Sequence, residues 1–263
     1  MRDPLNGPAL FSPSFIDALR TYAPELLTPP VLSGPLTEVP HATTVAALRY
    51  ADGVIIGGDR RATEGLTIAQ RDIEKVFPAD DFSAVAIAGA AGFAIEMVRL
   101  FQTELEHYEK VEGLTLSLEG KANKLGQMVR GNLPMAMQGL VVVPLFCGYD
   151  QRRATGRIYR YDVTGGRYED ADYHANGSGG GFARGSLKKR YRHDMERNDA
   201  VDVLVEALFD AAEEDAATGG PDLIRGIFPV VATVTAQGYQ RLPDDELRKS
   251  TERILAARAR GEG

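Results

Sequence analysis

The chain predicts an α+β fold of four layers, an αββα sandwich with two antiparallel sheets between two layers of helices. Three observations lead there. Segments with strand character fall into two groups, at 45–88 and 141–174. Each group is followed by a pair of helical segments. A last strand and a last helix close the chain. Sheets and helices that each bury one face are satisfied when the sheets stack and the helices cover the outside.

The elements follow in order. Residues 1–42 hold eight of the fourteen prolines, at 4, 8, 13, 24, 29, 30, 35 and 40. That density leaves room only for a short helix near 14–22. From residue 43 the pattern turns to strands. Residues 45–50 and 54–58 flank Ala51-Asp52-Gly53, a hairpin turn. Short strands are expected at 62–68, 73–77 and 82–88. Residues 91–111 carry Phe93, Met97, Leu100, Phe101, Leu105 and Tyr108 at helical spacing, and Gly113 stops the helix. A less regular helical stretch, 118–140, contains Gly126, Gly131 and Pro134. Strands return at 141–149, 157–162 and 167–174, the last two joined through Gly165-Gly166. Helices at 182–191 and 199–215, a strand at 227–235 and a helix at 244–258 complete the order. No internal repeat suggests a solenoid or propeller.

Bulk properties narrow the function. A chain of 263 residues suits one large domain or two small ones. Its 44% hydrophobic and 25% charged residues are ordinary for a soluble globular protein. A net charge of −7 and a pI near 5.2 argue against a nucleic-acid partner. No run approaches the roughly 18 apolar residues of a membrane span. The N-terminus lacks a basic then apolar secretory signal. The lone Cys147 sits in an apolar run and reads as a buried thiol. No disulfide can form within one chain, which suits a reducing cytoplasm. Histidines at 41, 107, 174 and 193 have no metal-type spacing, so neither a metal nor a cofactor is expected. Gly177-Ser178-Gly179-Gly180-Gly181 is Gly-rich, but its nearest lysines are Lys188 and Lys189, so it is a weak phosphate cradle.

The chemistry gathers around Thr43. A threonine hydroxyl is a poor nucleophile without a base beside it. Cutting the chain before the Thr frees an α-amine with a pKa of about 7.7–8.0, neutral enough to serve as that base. Thr43-Thr44 opens an apolar strand directly after the Pro-rich segment. That placement favours a propeptide of 1–42, cut between Ala42 and Thr43, over a floppy tail. Lys75 alternates with Ile73 and Phe77, and period-2 geometry puts the three on one strand face. A lysine among apolar neighbours needs a partner, and Asp59 is the candidate. Gly89 could donate its N–H to an oxyanion, or could merely serve a strand-to-helix turn.

The set Thr43, Asp59 in Gly57-Gly58-Asp59-Arg60-Arg61, Lys75 in Asp72-Ile73-Glu74-Lys75-Val76 and Gly89 in Ile87-Ala88-Gly89-Ala90-Ala91-Gly92 resembles a proteasome β subunit of the actinobacterial type. The likeness runs from Thr43 to about Ile254. It includes Leu105-Glu106-His107-Tyr108-Glu109-Lys110, Met128-Val129-Arg130-Gly131-Asn132, Gly177-Ser178-Gly179 and the stretch from Asp215 to Asp222, in the same order. The resemblance implies the N-terminal-nucleophile hydrolase fold and a threonine endopeptidase over 43–263. It implies Thr43 as nucleophile and base, Asp59 and Lys75 beside it, the Gly89 N–H at the oxyanion, and Ser178, Asp215 and Thr218 around the freed amine. Ser178 could equally be a plain helix N-cap. Ala42 stands where relatives usually have Gly, Thr218 where many have Ser, and Gly180 where Ser is common.

The resemblance also implies a specificity pocket of Ala62, Ile73, Phe77, Ile87, Ala91 and Ile95. The substrate would lie extended between the Thr63 and Gly89 segments. None of the six pocket side chains is charged, so cleavage after large hydrophobic residues is expected, with modest discrimination. The implied assembly is a cytoplasmic 28-subunit α7β7β7α7 core, with two heptameric β rings between rings of α subunits. An ATP-dependent ring unfoldase would feed it proteins marked by a ubiquitin-like protein. A two-ring bacterial threonine protease paired with its own ATPase is the nearest alternative. Its members lack a long propeptide and have shorter chains, and the Arg60-Arg61 pair also argues against it. Inactive scaffold β subunits usually lose Thr43, Lys75 or Gly89, and all three are present here.

Overall fold

Strands β1 (Thr44–Tyr50) and β2 (Gly53–Gly58) form a hairpin in which Val45 faces Gly58 and Tyr50 faces Gly53. Both strands are buried on both faces, and their side chains alternate between two cores. Ala46, Leu48, Tyr50 and Ile55 point to one core, shared with Leu204, Val205 and Leu208. Val45, Ala47, Val54 and Ile56 point to another, shared with Ala84, Ala86, Leu145 and Ile158. The structure, a computed structural model, describes residues 14–27 and 43–261. The expected cut after Ala42 therefore falls at the border of the described residues, with 28–42 outside them.

The first sheet has the order β10-β1-β2-β11-β12, where β10 is Tyr173–Gly177, β11 is Val230–Thr235 and β12 is Gly238–Arg241. The second has the order β5-β6-β7-β8-β9. Its strands are β5 (Val76–Asp80), β6 (Ser83–Gly89), β7 (Val142–Asp150), β8 (Thr155–Tyr161) and β9 (Arg167–Asp170). Every pairing is antiparallel. Helices α5 (Gly180–Arg190), α6 (Arg197–Glu214) and α7 (Asp244–Ala259) cover the first sheet. Helices α2 (Ala91–Glu112) and α3 (Leu118–Gly131) cover the second through a third core, in which Val98, Phe101 and Leu125 meet Val85, Phe146 and Tyr159. Three apolar cores between four layers give the α+β N-terminal-nucleophile hydrolase sandwich. Burying large side chains such as Phe101 and Phe146 contributes about 1.5–3 kcal/mol each relative to exposure.

Several boundaries differ from the sequence reading. The segment 62–68 turns back at Gly65 into a separate hairpin, β3 (Ala62–Glu64) with β4 (Thr67–Gln70). Residues 73–75 precede β5 rather than belonging to it. They are held by Ile73 N–H donating to Arg60 O at 3.1 Å and Ile87 N–H donating to Lys75 O at 3.0 Å. The stretch 118–140 breaks at Asn132 into α3 and a short helix, α4 (Leu133–Ala136), where Pro134 brings no N–H. The expected strand 167–174 is two strands in different sheets: β9 pairs with β8, and β10 pairs with β1. Alternation along the chain cannot reveal that its two halves have different neighbours. The last strand begins at Val230, after Pro229, and β12 returns after it through Gly238, whose φ is +96°.

A short leader helix, α1 (Phe15–Tyr22), matches the expected one. Ser14 caps it by accepting from Asp17 N–H at 3.3 Å. It rests on α2, where Ile16 N–H donates to Glu104 Oε2 at 2.9 Å. Lys124 ties both sides, reaching Ser14 Oγ at 2.9 Å and Glu104 at 2.5 Å. Cys147 is fully buried, and burial pushes its thiol well up. Among the described residues no helix is long and apolar enough to cross a membrane.

Candidate active site

The site forms where the start of β1 and the end of β2, both interior strands of the first sheet, meet the end of β6. Asp59 follows β2 directly, and its N–H donates to Thr44 O at 3.0 Å. Its carboxylate is fully ligated. Oδ1 accepts from Thr44 N–H at 2.8 Å and from Lys75 Nζ at 2.6 Å. Oδ2 accepts from Arg61 N–H at 2.9 Å and Gly219 N–H at 2.8 Å. Lys75 also donates to Arg61 O at 2.7 Å. The two side chains are 4% and 0% exposed, so the pair is withdrawn from water. Burial holds the Lys75 ammonium below its ordinary range, while Asp59 opposes that shift.

Thr43 lies just ahead of β1 and is 4% exposed. Its carbonyl accepts Ser178 N–H at 3.0 Å. Gly177 makes this approach possible: its φ is +98°, and a Cβ there would stand 1.8 Å from Thr43 O. Gly89 ends β6 at φ +124°, where a Cβ would strike Val141 O at 2.0 Å. Glycine is therefore required at Gly89 by the turn itself, whatever its N–H does.

The supporting residues converge on one carboxylate. Asp215, at the C-cap of α6, accepts from Ser178 Oγ at 2.6 Å and from Thr218 Oγ at 2.5 Å, both on Oδ2. Its Oδ1 accepts Ala217 N–H at 3.1 Å. Ser178 is not the N-cap of α5; Gly179 holds that position and makes no side-chain cap bond. The hydroxyl of Ser178 instead serves Asp215. Sequence reasoning missed Thr44, whose buried hydroxyl lies 2.6 Å from Thr218 Oγ and accepts Gly179 N–H at 3.0 Å. It also missed the Arg61 and Gly219 amides on Asp59. The glycine at 219 was visible, but its partner lies 160 residues away in sequence.

Beside Thr43 is a cavity lined by Ala62, Ile73, Phe77, Ile87, Ala91 and Ile95. Thr63 is not among its lining residues. Ala94 joins it, and so does Glu74, a carboxylate that the sequence reading did not place there. Glu74 is at the exposed rim and pairs with Arg241 at 2.5 Å. A larger groove of about 900 Å³ lies between the β5–β6 turn, the α2–α3 junction and residues 237–239. It contains none of the expected site residues, and its Lys121 is already paired with Asp80. The smaller cavity is the one that the expected site residues Thr43, Lys75 and Gly89 line.

Comparison with known proteins agrees with this architecture. The family model described as proteasome subunit matches residues 39–224. A proteasome subunit beta of Frankia casuarinae is 54% identical over 273 aligned positions, covering all of both chains. One from Frankia alni gives the same identity and coverage. One from Acidothermus cellulolyticus is 56% identical over 257 positions, covering 95% of this chain and 89% of the relative.

Proposed function

The chain belongs to the proteasome subunit family as a β-type member, and on that premise we propose that it is a catalytic subunit whose nucleophile is Thr43, freed by self-cleavage after Ala42. The observation that carries this reading is the buried Lys75–Asp59 pair, 2.6 Å apart and anchored to Thr44 N–H beside the nucleophile. A buried ion pair is costly to keep, and replacing one by apolar residues is often neutral or stabilising. Its lysine lines the same cavity as Thr43, which favours a chemical role.

Each step follows from these groups. The freed α-amine of Thr43 takes the hydroxyl proton as Oγ attacks the scissile carbonyl. Lys75 favours the deprotonated hydroxyl electrostatically. The Gly89 N–H receives the developing oxyanion. The amine then protonates the leaving nitrogen, and water hydrolyses the ester on Thr43. In the intact chain the Thr43 nitrogen is an amide and cannot act as a base, so the enzyme is silent as a zymogen until cut. The coarser statement, that this is a proteasome β subunit and hence part of a protease, rests on the family itself.

The same reading extends to partners. The subunit would assemble with α subunits and further copies of itself in an α7β7β7α7 core in the cytoplasm. It would receive unfolded chains, marked by a ubiquitin-like protein, from an ATP-dependent ring unfoldase. Mass spectrometry of the subunit co-expressed with its α partner tests the core of the proposal. The expected mass is that of a chain beginning at Thr43. A mature subunit that keeps residues 1–42 is the result that would sink it.

Cleavage after Leu, Tyr or Phe is expected to outrun cleavage after Arg or Asp, because the six pocket side chains offer apolar area and the two charged lining residues are already paired, Glu74 with Arg241 and Lys75 with Asp59. Ile87→Arg should narrow that gap and favour acidic residues, since it places a cation in a low-dielectric cavity. A fluorogenic peptide panel on mature particles reads both effects. A wild-type preference for Arg or Asp would mean the pocket is misassigned, with the Thr43 mechanism untouched.

A further inference from the structure

We propose that Thr44, the residue after the nucleophile, is a positioning residue: its hydroxyl heads a one-way chain of hydrogen bonds through Thr218 to Asp215 and so fixes how Ser178 meets residue 43. The proposal rests on the reading of Thr43 as nucleophile.

Proton counting sets the direction. A hydroxyl has one proton to give. Thr218 spends its proton on Asp215 Oδ2, at 2.5 Å. The 2.6 Å contact between the Thr44 and Thr218 hydroxyls therefore needs Thr44 as donor. Thr44 can donate there because its own oxygen is supplied from behind, by Gly179 N–H at 3.0 Å. The chain runs Gly179 N–H to Thr44, to Thr218, to Asp215. Ser178 enters the same carboxylate oxygen from the other side at 2.6 Å. Its hydroxyl also lies 3.5 Å from Thr43 O. The short, charge-assisted bond to Asp215 wins that single proton. The Ser178 oxygen is left as an acceptor beside residue 43, suited to a protonated amine.

Two further facts make this a built arrangement. Thr44 and Thr218 are both fully buried, so neither hydroxyl can turn to solvent. A Cβ at Gly179 would stand 2.5 Å from Thr44 Oγ and 2.7 Å from Thr218 Oγ. Only glycine there lets the α5 N-terminus come close enough to feed the chain. Without the Thr44 hydroxyl, Thr218 loses its donor and the Gly179 N–H loses its acceptor. The loop from Asp215 to Thr218 is then free to re-aim Ser178.

The test uses assembled particles whose subunits begin at Thr43, assayed with a fluorogenic peptide. Thr44→Val keeps the shape and removes the hydroxyl. It should lower kcat about tenfold with KM unchanged, since substrate does not touch Thr44. Thr44→Ser restores the hydroxyl and should restore kcat. Wild-type kcat in Thr44→Val overturns the proposal. So does a Thr44→Ser particle as slow as Thr44→Val, which would place the loss in the missing methyl. If Thr44→Val does not assemble, Thr218→Val breaks the same chain from its middle, and wild-type kcat in that particle overturns the proposal equally. A Thr43→Ala particle run alongside separates the two readings. Activity there sinks the nucleophile assignment, whereas an inert Thr43→Ala beside a fully active Thr44→Val sinks only the role of Thr44.

Discussion

Thr43→Ala should leave the 42-residue leader attached and abolish peptide hydrolysis, in a particle that still assembles. Its effect is the largest expected because one group serves two reactions. On the proposed reading, the hydroxyl of Thr43 attacks the Ala42 carbonyl during maturation, turning the amide into an ester that water then cuts, and attacks the substrate carbonyl afterwards. Removing it takes away the nucleophile in both, and no other step can restore it. Stability should change little. Thr43 is ahead of β1, its backbone carbonyl still accepts Ser178 N–H, and alanine loses only a hydroxyl and a methyl. The measurement is the subunit mass, together with turnover of a fluorogenic peptide, in cells holding no wild-type copy. That condition matters, because an active neighbour could cut the leader in trans. A Thr43→Ala subunit that still loses residues 1–42 under those conditions would remove Thr43 from the processing step.

Much of this geometry was legible in the sequence because it follows from local rules. Val45, Ala47, Ala46 and Leu48 had to divide between two faces once 45–50 was read as a strand. A lysine between apolar Ile73 and Phe77 had to find an anion, and the structure pairs it with Asp59, although residues 73–75 lie ahead of β5 and do not form the expected strand face. The less legible parts depend on distant neighbours. Residues 167–174 read as one strand because no Gly or Pro interrupts them, yet the chain changes sheets there. The four donors on Asp59 include an amide from residue 219, which no local pattern announces. Thr44 looked like a strand former, and its hydroxyl acquires meaning only through Thr218, 174 residues later. Glu74 reaches the pocket rim from a segment that is not a strand, so no periodicity places it there. Its partner Arg241 belongs to β12, a strand too short to be read from the sequence.

Lys75→Ala should lower peptidase activity by at least about 10²-fold, the scale expected when a preorganised electrostatic contributor is lost. The harder half of the prediction is that the subunit still folds. Breaking a buried ion pair from one side commonly costs about 3–5 kcal/mol, because the surviving charge is stranded. Asp59 is not stranded. Three backbone amides, from Thr44, Arg61 and Gly219, continue to donate to its two oxygens. Such bonds keep the buried oxygens satisfied once the ammonium is gone. Lysine, by contrast, is the costly member: burial already holds its ammonium below the ordinary range. Removing it should therefore cost less than the general figure, and the particle should form. What disappears is the positive charge beside Thr43 that favours an ionised hydroxyl. Peptide turnover and thermal melting, measured on the same assembled Lys75→Ala particle, separate the two effects. Near-normal melting with activity at or below about one hundredth of wild type fits an electrostatic role. Wild-type turnover in that particle would remove Lys75 from the mechanism and leave the buried pair as a purely structural feature.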